Sequence, residues 1–342
     1  MAARARYENE STMTAFVSVF VCLLFGHLHG NASAELIGEV ADLDAAVESF
    51  RSNYVRITDW SGHAAFARYK LKAGVESERS EKQIDFMVRP HSGELRCDWT
   101  FPMIVSGTSK AAASFIKCLY TKGELTTVRR RVDGRSVAPL IQVEHFPSLE
   151  KVTSGSCFCP LRYFGVGRGS NIAKTLTFYK ENADDPKLIG TPSIFRQANI
   201  VTFRLTIADG NYLEEYKIDL DQGGNIVEYK HGGDEGSVNI FWTYENIADA
   251  WVPHTYRKHS SSDFIYVRGV RQQRSDLSED RIETVDFSAN RVNVSIDDDE
   301  FTVERLEIQP GELVQNVTLK KSYLYKAPDR NTKASPPPDE KK

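Results

Sequence analysis

The chain has 342 residues, 41% of them hydrophobic, with 18 Phe, 14 Tyr and 4 Trp, which excludes a wholly disordered polypeptide. With 43 basic against 47 acidic residues the net charge is −4. No basic stripe is present, so nucleic acid is not an expected partner, because phosphate binding needs clustered positive charge.

Residues 1–34 have the layout of a secretory signal. Arg4 and Arg6, diluted by Glu8 and Glu10, precede an apolar run from Ala15 to Leu28. Asn31-Ala32-Ser33-Ala34 then supplies the small residues of a cleavage site before Glu35. The competing reading is a membrane anchor, for which the run is short, and no later stretch approaches the roughly 20 apolar residues that a spanning helix needs. The expectation is an exported chain, periplasmic or extracellular, with no transmembrane span after cleavage. Cys22 sits in the apolar run behind Val21, which is not a lipoprotein acylation context.

A helix follows. Val40, Leu43, Val47, Phe50 and Tyr54 form one apolar stripe on a 3.6-residue period, while Asp42, Asp44 and Glu48 face away and Ser52-Asn53 and Thr58-Asp59 mark the exit. The period then drops to two. A strand begins at Ala64 behind Trp60-Ser61-Gly62, and Ile84, Phe86 and Val88 alternate with charged residues. Pro90-His91-Ser92-Gly93 is a turn, and Glu94 to Trp99 is the next strand. Phe115 to Tyr120 returns along it, Lys122-Gly123 makes a tight hairpin, and Leu125 to Arg129 runs back. The Arg129-Arg130-Arg131 run at its end is expected to be solvated.

Four cysteines remain after the signal: Cys97, Cys118, Cys157 and Cys159. They are disulfide candidates in an oxidising compartment, with three pairings open. Pairing Leu95 with Tyr120 and Trp99 with Ile116 would set Cys97 directly opposite Cys118.

Residues 145–200 break the strand rhythm. They hold Cys157-Phe158-Cys159-Pro160, the Gly165-x-Gly167-x-Gly169 loop, and a short helix capped by Ser170 or Asn171 with Ile172, Leu176 and Tyr179 on its buried side. From 200 onward a meander is legible. Val201, Phe203, Leu205 and Ile207 alternate with polar residues, Asp209-Gly210 turns, Tyr216 to Leu220 returns and Asp221-Gln222-Gly223-Gly224 turns again. Ile226 to Lys230, a Gly232-Gly233 turn, Val238 to Tyr244, Trp251 to Lys258 and Phe264 to Gln272 continue the series. Asp297-Asp298-Asp299 precedes a helical turn over 301–306, and a final strand runs from about Val314 to Tyr325. Residues 328–342 read as a disordered tail.

Strands of this kind predict a mainly β fold: a large curved antiparallel sheet, or unclosed β-barrel, with one buried side and a few covering helices. Residues 35–327 would form that single domain.

Chemistry is sparse. No HExxH or GxSxG motif occurs, and His254 and His259 point to opposite strand faces. The acidic run 297–300 lacks the pattern of a calcium loop. The glycine loop lacks the βαβ frame of a phosphate cradle, and Cys157-x-Cys159 lacks that of a redox pair. Catalysis, a metal and a cofactor are therefore not expected. Asn293-Val294-Ser295 and Asn316-Val317-Thr318 fit glycosylation acceptors. What stands out is aromatic bulk at inward strand positions: Phe66, Phe86, Trp99, Phe203, Trp242 and Tyr244. Either these residues pack on one another and on the covering helices, or part of the concave face holds a hydrophobic ligand.

The order of elements resembles the LolA-like family, which comprises periplasmic lipoprotein carriers, the receptor LolB and RseB-type sensors. The resemblance rests on the signal followed at once by the helix of Val40 to Tyr54, and on Trp60-Ser61-Gly62 before a long strand. It continues with Phe86-Met87-Val88-Arg89-Pro90 ahead of Leu95-Arg96, a helix-bearing middle, and Asp249-Ala250-Trp251-Val252-Pro253-His254. It covers residues 36–272. It implies an unclosed barrel with a helical lid and a hydrophobic cavity, and binding of a lipid or a lipidated protein's acyl chain without catalysis. The chain departs in its length, its cysteine-bearing middle and its last 55 residues before the tail. The alternative is an extracytoplasmic structural or protein-interaction module with a filled core.

Overall fold

The computed structural model describes residues 40–326 apart from 73, 105–110, 133–137, 153–156, 165–171, 182–190, 207–211, 234–235, 263, 268–269 and 274–278. The signal segment, the tail, the Asp209-Gly210 turn and the glycine loop lie outside the described residues.

The expected first helix, α1 (Val40–Val55), buries Leu43, Ala46, Val47 and Phe50 on one stripe. Six strands follow: β1 (Trp60–Lys72), β2 (Val75–Arg89), β3 (Glu94–Ile104), β4 (Ala111–Thr121), β5 (Glu124–Val132) and β6 (Leu140–His145). A 3₁₀ turn over Pro160–Phe164 and a helix, α2 (Ile172–Glu181), make the middle. Next come β7 (Thr191–Gln197), β8 (Ile200–Thr206), β9 (Tyr212–Asp219), β10 (Asn225–Gly233), β11 (Gly236–Ile247) and β12 (Ala250–Ser262). The chain closes with β13 (Phe264–Val267), β14 (Val270–Gln273), β15 (Glu279–Val292), β16 (Leu313–Asn316) and β17 (Lys321–Leu324).

Among the described residues all strands except β13 and β14 join one 15-stranded sheet, in the order β17-β16-β6-β5-β4-β3-β2-β1-β15-β12-β11-β10-β9-β8-β7. Its ends do not pair with each other, so it is an unclosed, mainly β half-barrel, antiparallel except where β16 runs parallel to β6. The Lys122-Gly123 hairpin has positive φ at both positions, 51° and 80°, the geometry whose twist matches antiparallel strands. The β9–β10 turn shows why glycine stands at 224. Its φ is +66°, and a Cβ there would lie 2.6 Å from the Phe50 nitrogen and 2.8 Å from the Ala46 carbonyl. Only a bare backbone lets α1 approach the sheet this closely.

Several expectations need correction. The stretch 264–272 is a separate two-stranded hairpin, β13 with β14, and not one strand of the meander. Gly232 and Gly233 extend β10 and do not form its turn. The final strand is the β16–β17 hairpin. The sheet also has two buried sides. The main core fills the concave face, while Leu119, Val128, Ile141, Val143, Ile296, Phe301, Leu306 and Val314 form a second core behind it. That second core exists because outward positions of β4 to β6 are apolar, and the 3₁₀ turns Asp298–Phe301 and Val303–Leu306 cover them. The arginine run is correspondingly not all solvated: Arg130 donates to both Glu312 carboxylate oxygens, at 2.9 and 3.1 Å.

Candidate functional site in the concave face

Strand alternation brings the inward aromatics to one surface, as expected. Phe86, Trp99, Phe203, Trp242 and Tyr244 are all buried in the main core, and Phe66 is half-buried against it. They pack against the chain's own cover. Residues 157–164, CFCPLRYF, lie in the concavity as an aromatic plug. Phe158 meets Phe86 and Phe287 at ring distances of 6.0 and 6.2 Å, and Tyr163 meets Tyr256 and Phe287 at 4.9 and 5.4 Å. Phe164 sits edge-on to Trp60 at 5.7 Å and to Phe50 of α1 at 6.3 Å. Such edge-on pairs let the positive ring edge meet the negative ring face. The plug bridges sheet and helix, so here the face is filled by side chains of the same chain.

Polar groups interrupt this apolar lining at three places. The Trp242 indole N–H is buried and has no hydrogen-bond acceptor among the described residues. Lys82 lies over the Trp99 ring at 4.2 Å and over Phe66 at 5.3 Å, and its burial lowers the amine pKa, with Glu283 acting against that. Under α2, the Glu214 carboxylate accepts from the hydroxyls of Tyr179 at 3.1 Å, Tyr229 at 3.2 Å and Tyr216. Burial, reinforced by this carboxylate, pushes the Tyr216 hydroxyl well up, and burial pushes the neighbouring His231 down. Sequence reading placed Trp242 on the inward face but missed Lys82 and Glu214, because both resemble ordinary surface charges in the alternating pattern.

The cysteines converge more than expected. Cys97 does stand opposite Cys118, in the register Leu95 with Tyr120 and Trp99 with Ile116. The plug adds Cys157, and the three sulfurs lie within 4.8 Å of one another, all buried. The sequence carried no signal for this cluster, since Cys157 reaches it only through the fold of the plug. The disulfide expectation is not met: no disulfide joins any two of these four cysteines, and Cys97 and Cys157 Sγ are 3.9 Å apart. Hydrogen bonds from Cys118 and then Cys157 hold the Cys97 thiol well below its usual range, while burial pushes Cys118 up. Cys159 stands outside the three, its thiol pushed up to about 11 by burial.

An open cleft of about 540 Å³ lies elsewhere, lined by Arg56, Asn246, Ala248, Asp249, Trp251 and Asn293. None of the six inward aromatics lines it. His254 and His259 lie apart, the first 3.7 Å from Glu245 and the second 3.3 Å from Asp280. Among the described residues no helix is long and apolar enough to cross a membrane.

No protein-family model and no curated protein matches the sequence. Among solved structures the chain is similar to a DUF1329 family protein from Desulfovibrio piger, at 12% identity, with 78% of this chain and 98% of that one covered and a TM-score of 0.36. It is also similar to a LolA superfamily protein from Nitrosomonas europaea, at 12% identity, with 80% of this chain and 100% of that one covered and a TM-score of 0.30.

Proposed function

We propose that the protein is an exported, non-enzymatic binder of a hydrophobic ligand, a lipid or the acyl chain of a lipoprotein, held in the concave face as by a carrier or sensor. The observation that carries this reading is the Trp242 indole N–H, buried on that face without an acceptor among the described residues. An unpaired buried donor costs about 1–3 kcal/mol, and an ester or amide oxygen at the head of an acyl chain would remove that cost. Phe203 and Tyr244 supply apolar lining on the same face, and the Glu214 cluster and Lys82 supply the few polar anchors such sites carry. Besides α1, the cover includes two short pieces, the 157–164 plug and the ten-residue α2, whose opening would leave the sheet itself paired. Ligand entry requires the plug to yield, since its rings occupy the face in this conformation.

The test is titration of a fluorescent fatty-acyl probe into the purified protein, together with mass spectrometry of lipid extracted from it. Saturable binding, weakened about 5- to 10-fold in Trp242→Phe, is expected if one hydrogen bond of about 1 kcal/mol or more is lost. Finding neither copurified lipid nor saturable binding would sink the reading.

A second reading, an extracytoplasmic protein-interaction module, is favoured by two observations: the filled concave face and the exposed apolar side chains at one sheet edge. Leu313, Val317, Leu319, Tyr323 and Leu324 cluster on or beside the β16–β17 hairpin. Apolar side chains beside an unpaired strand edge suit a protein partner. This reading predicts no lipid uptake, and loss of partner capture when Tyr323 and Leu324 become Lys.

A further inference from the structure

We propose that Cys97, Cys118 and Cys157 form a binding site for one thiophilic d¹⁰ cation, zinc(II) or copper(I), that staples the plug to the sheet. Two of the sulfurs come from facing strand positions, a rigid pair set by the β3–β4 register, and the third comes from the plug. An ion at the centre of three sulfurs spaced about 4 Å apart lies roughly 2.3 Å from each, which is the zinc–thiolate bond length. The Cys97–Cys157 separation of 3.9 Å already has that spacing, and the 4.8 Å limit on the whole cluster leaves only a small contraction to make.

The surroundings fit a thiolate centre. The Phe158 backbone N–H donates to the Cys97 sulfur, as amides do to metal-bound sulfur. Among the described residues the cluster contains no histidine or carboxylate, so its donors are soft throughout, which selects zinc or monovalent copper over magnesium, calcium or manganese. The count of three also matters. A disulfide within the cluster would join two sulfurs, release two electrons to an oxidant, and leave the third as a buried thiol. A cation engages all three, displacing the thiol protons as it binds. Three protonated thiols packed as small apolar groups would need no convergence of sulfurs. Binding would tie residue 157 to β3 and β4, and so fix the plug over Phe86 and Phe287. The proposal stands whether or not the concave face takes a lipid.

The experiment uses the full chain, purified without chelator under anaerobic reducing conditions and loaded with either zinc chloride or cuprous chloride. Metal analysis after gel filtration should find about one ion per chain. Cys118→Ser should lower the bound metal by ~10-fold or more, while Cys159→Ser should retain it. Should Cys118→Ser fail to fold, cobalt(II) substitution of the wild type reads the same site, through a sulfur-to-cobalt charge-transfer band of three-thiolate intensity. Zinc uptake alone, copper(I) uptake alone, or both support the site and identify its ion. Absence of uptake of either ion by the folded protein, or a disulfide joining two of the three cysteines in protein isolated without reductant, overturns it.

Discussion

Asn53 is buried near the C-terminal end of α1, where its amide donates to the Trp251 carbonyl at 2.9 Å and its carbonyl accepts from the Trp251 amide at 2.7 Å. The side chain thus pairs with β12 as another strand would, and anchors the helix over the concave face. In the sequence Asn53 looked like a helix-exit residue, because Asn is common there and nothing local names a partner 198 positions away. Asn53→Ala strands both backbone groups of Trp251, with an expected loss of about 2–3 kcal/mol in urea denaturation. Asn53→Asp keeps the acceptor but sets a buried carboxylate oxygen against the Trp251 carbonyl, so it should lose at least as much. A cost below about 0.5 kcal/mol would mean that the helix is held by its apolar stripe alone. The same limit of local reading applies to Lys82 and Trp242, whose type and strand phase were legible while their surroundings were not.

At the scale of elements, the segment 296–312 is fastened across the back of the sheet by a row of ion pairs. Arg89 bonds Asp59 at 3.1 Å and Asp298 at 2.7 Å, Arg96 bonds Glu300, and Lys117 bonds Glu307 at 2.7 Å. Arg130 bonds Glu312, and burial opposes the ionisation of that carboxylate, but the double hydrogen bond outweighs it and the pKa is lowered. Because the folded value is depressed, the pair's contribution is fully present above the unfolded carboxylate range and fades as pH falls through the folded value. Arg130→Met should therefore cost about 1–2 kcal/mol at pH 7, and clearly less at an acidic pH below the depressed folded value, where the carboxylate is protonated in both states. Urea midpoints of the two proteins at both pH values give the comparison, and an equal cost at both would remove the ion pair from the account. None of this latch was legible beforehand. The acidic run at 297–300 was read correctly as the start of a helical turn, with Asp297 accepting from the Asp299 amide at 3.1 Å, but its arginine partners sit some 200 residues earlier. By contrast α1, the β4–β5 hairpin and the Cys97–Cys118 register were readable, since each is set by local period and turn chemistry.

For the whole molecule, the unclosed sheet was legible from alternation and turn spacing, but the strand that joins its halves was not. β15 lies between β1 and β12 and so links the wing of β1 to β6 with the wing of β7 to β12. Its inward positions include Val285 and Phe287, but also Glu283, whose charge acts on Lys82, Tyr163 and Tyr256. One carboxylate on the buried side was enough to break the apolar alternation that marks a strand. Phe287 packs on Trp60 at 5.6 Å, on Phe86 at 5.9 Å and on Tyr163 at 5.4 Å, so it touches the first wing and the plug together. If the half-barrel is one cooperative body held at this seam, Phe287→Ala should cost about 3–5 kcal/mol, the usual cost of a large aromatic removed from a core. Both wings should feel it equally. Hydrogen exchange followed by mass spectrometry across a urea series reads each wing separately, through peptides from β2–β4 and from β8–β11. Opening of both at one urea concentration, shifted together by the substitution, is the expected result. If only the β2–β4 peptides shift, the wings are independent folding units and β15 belongs energetically to the first.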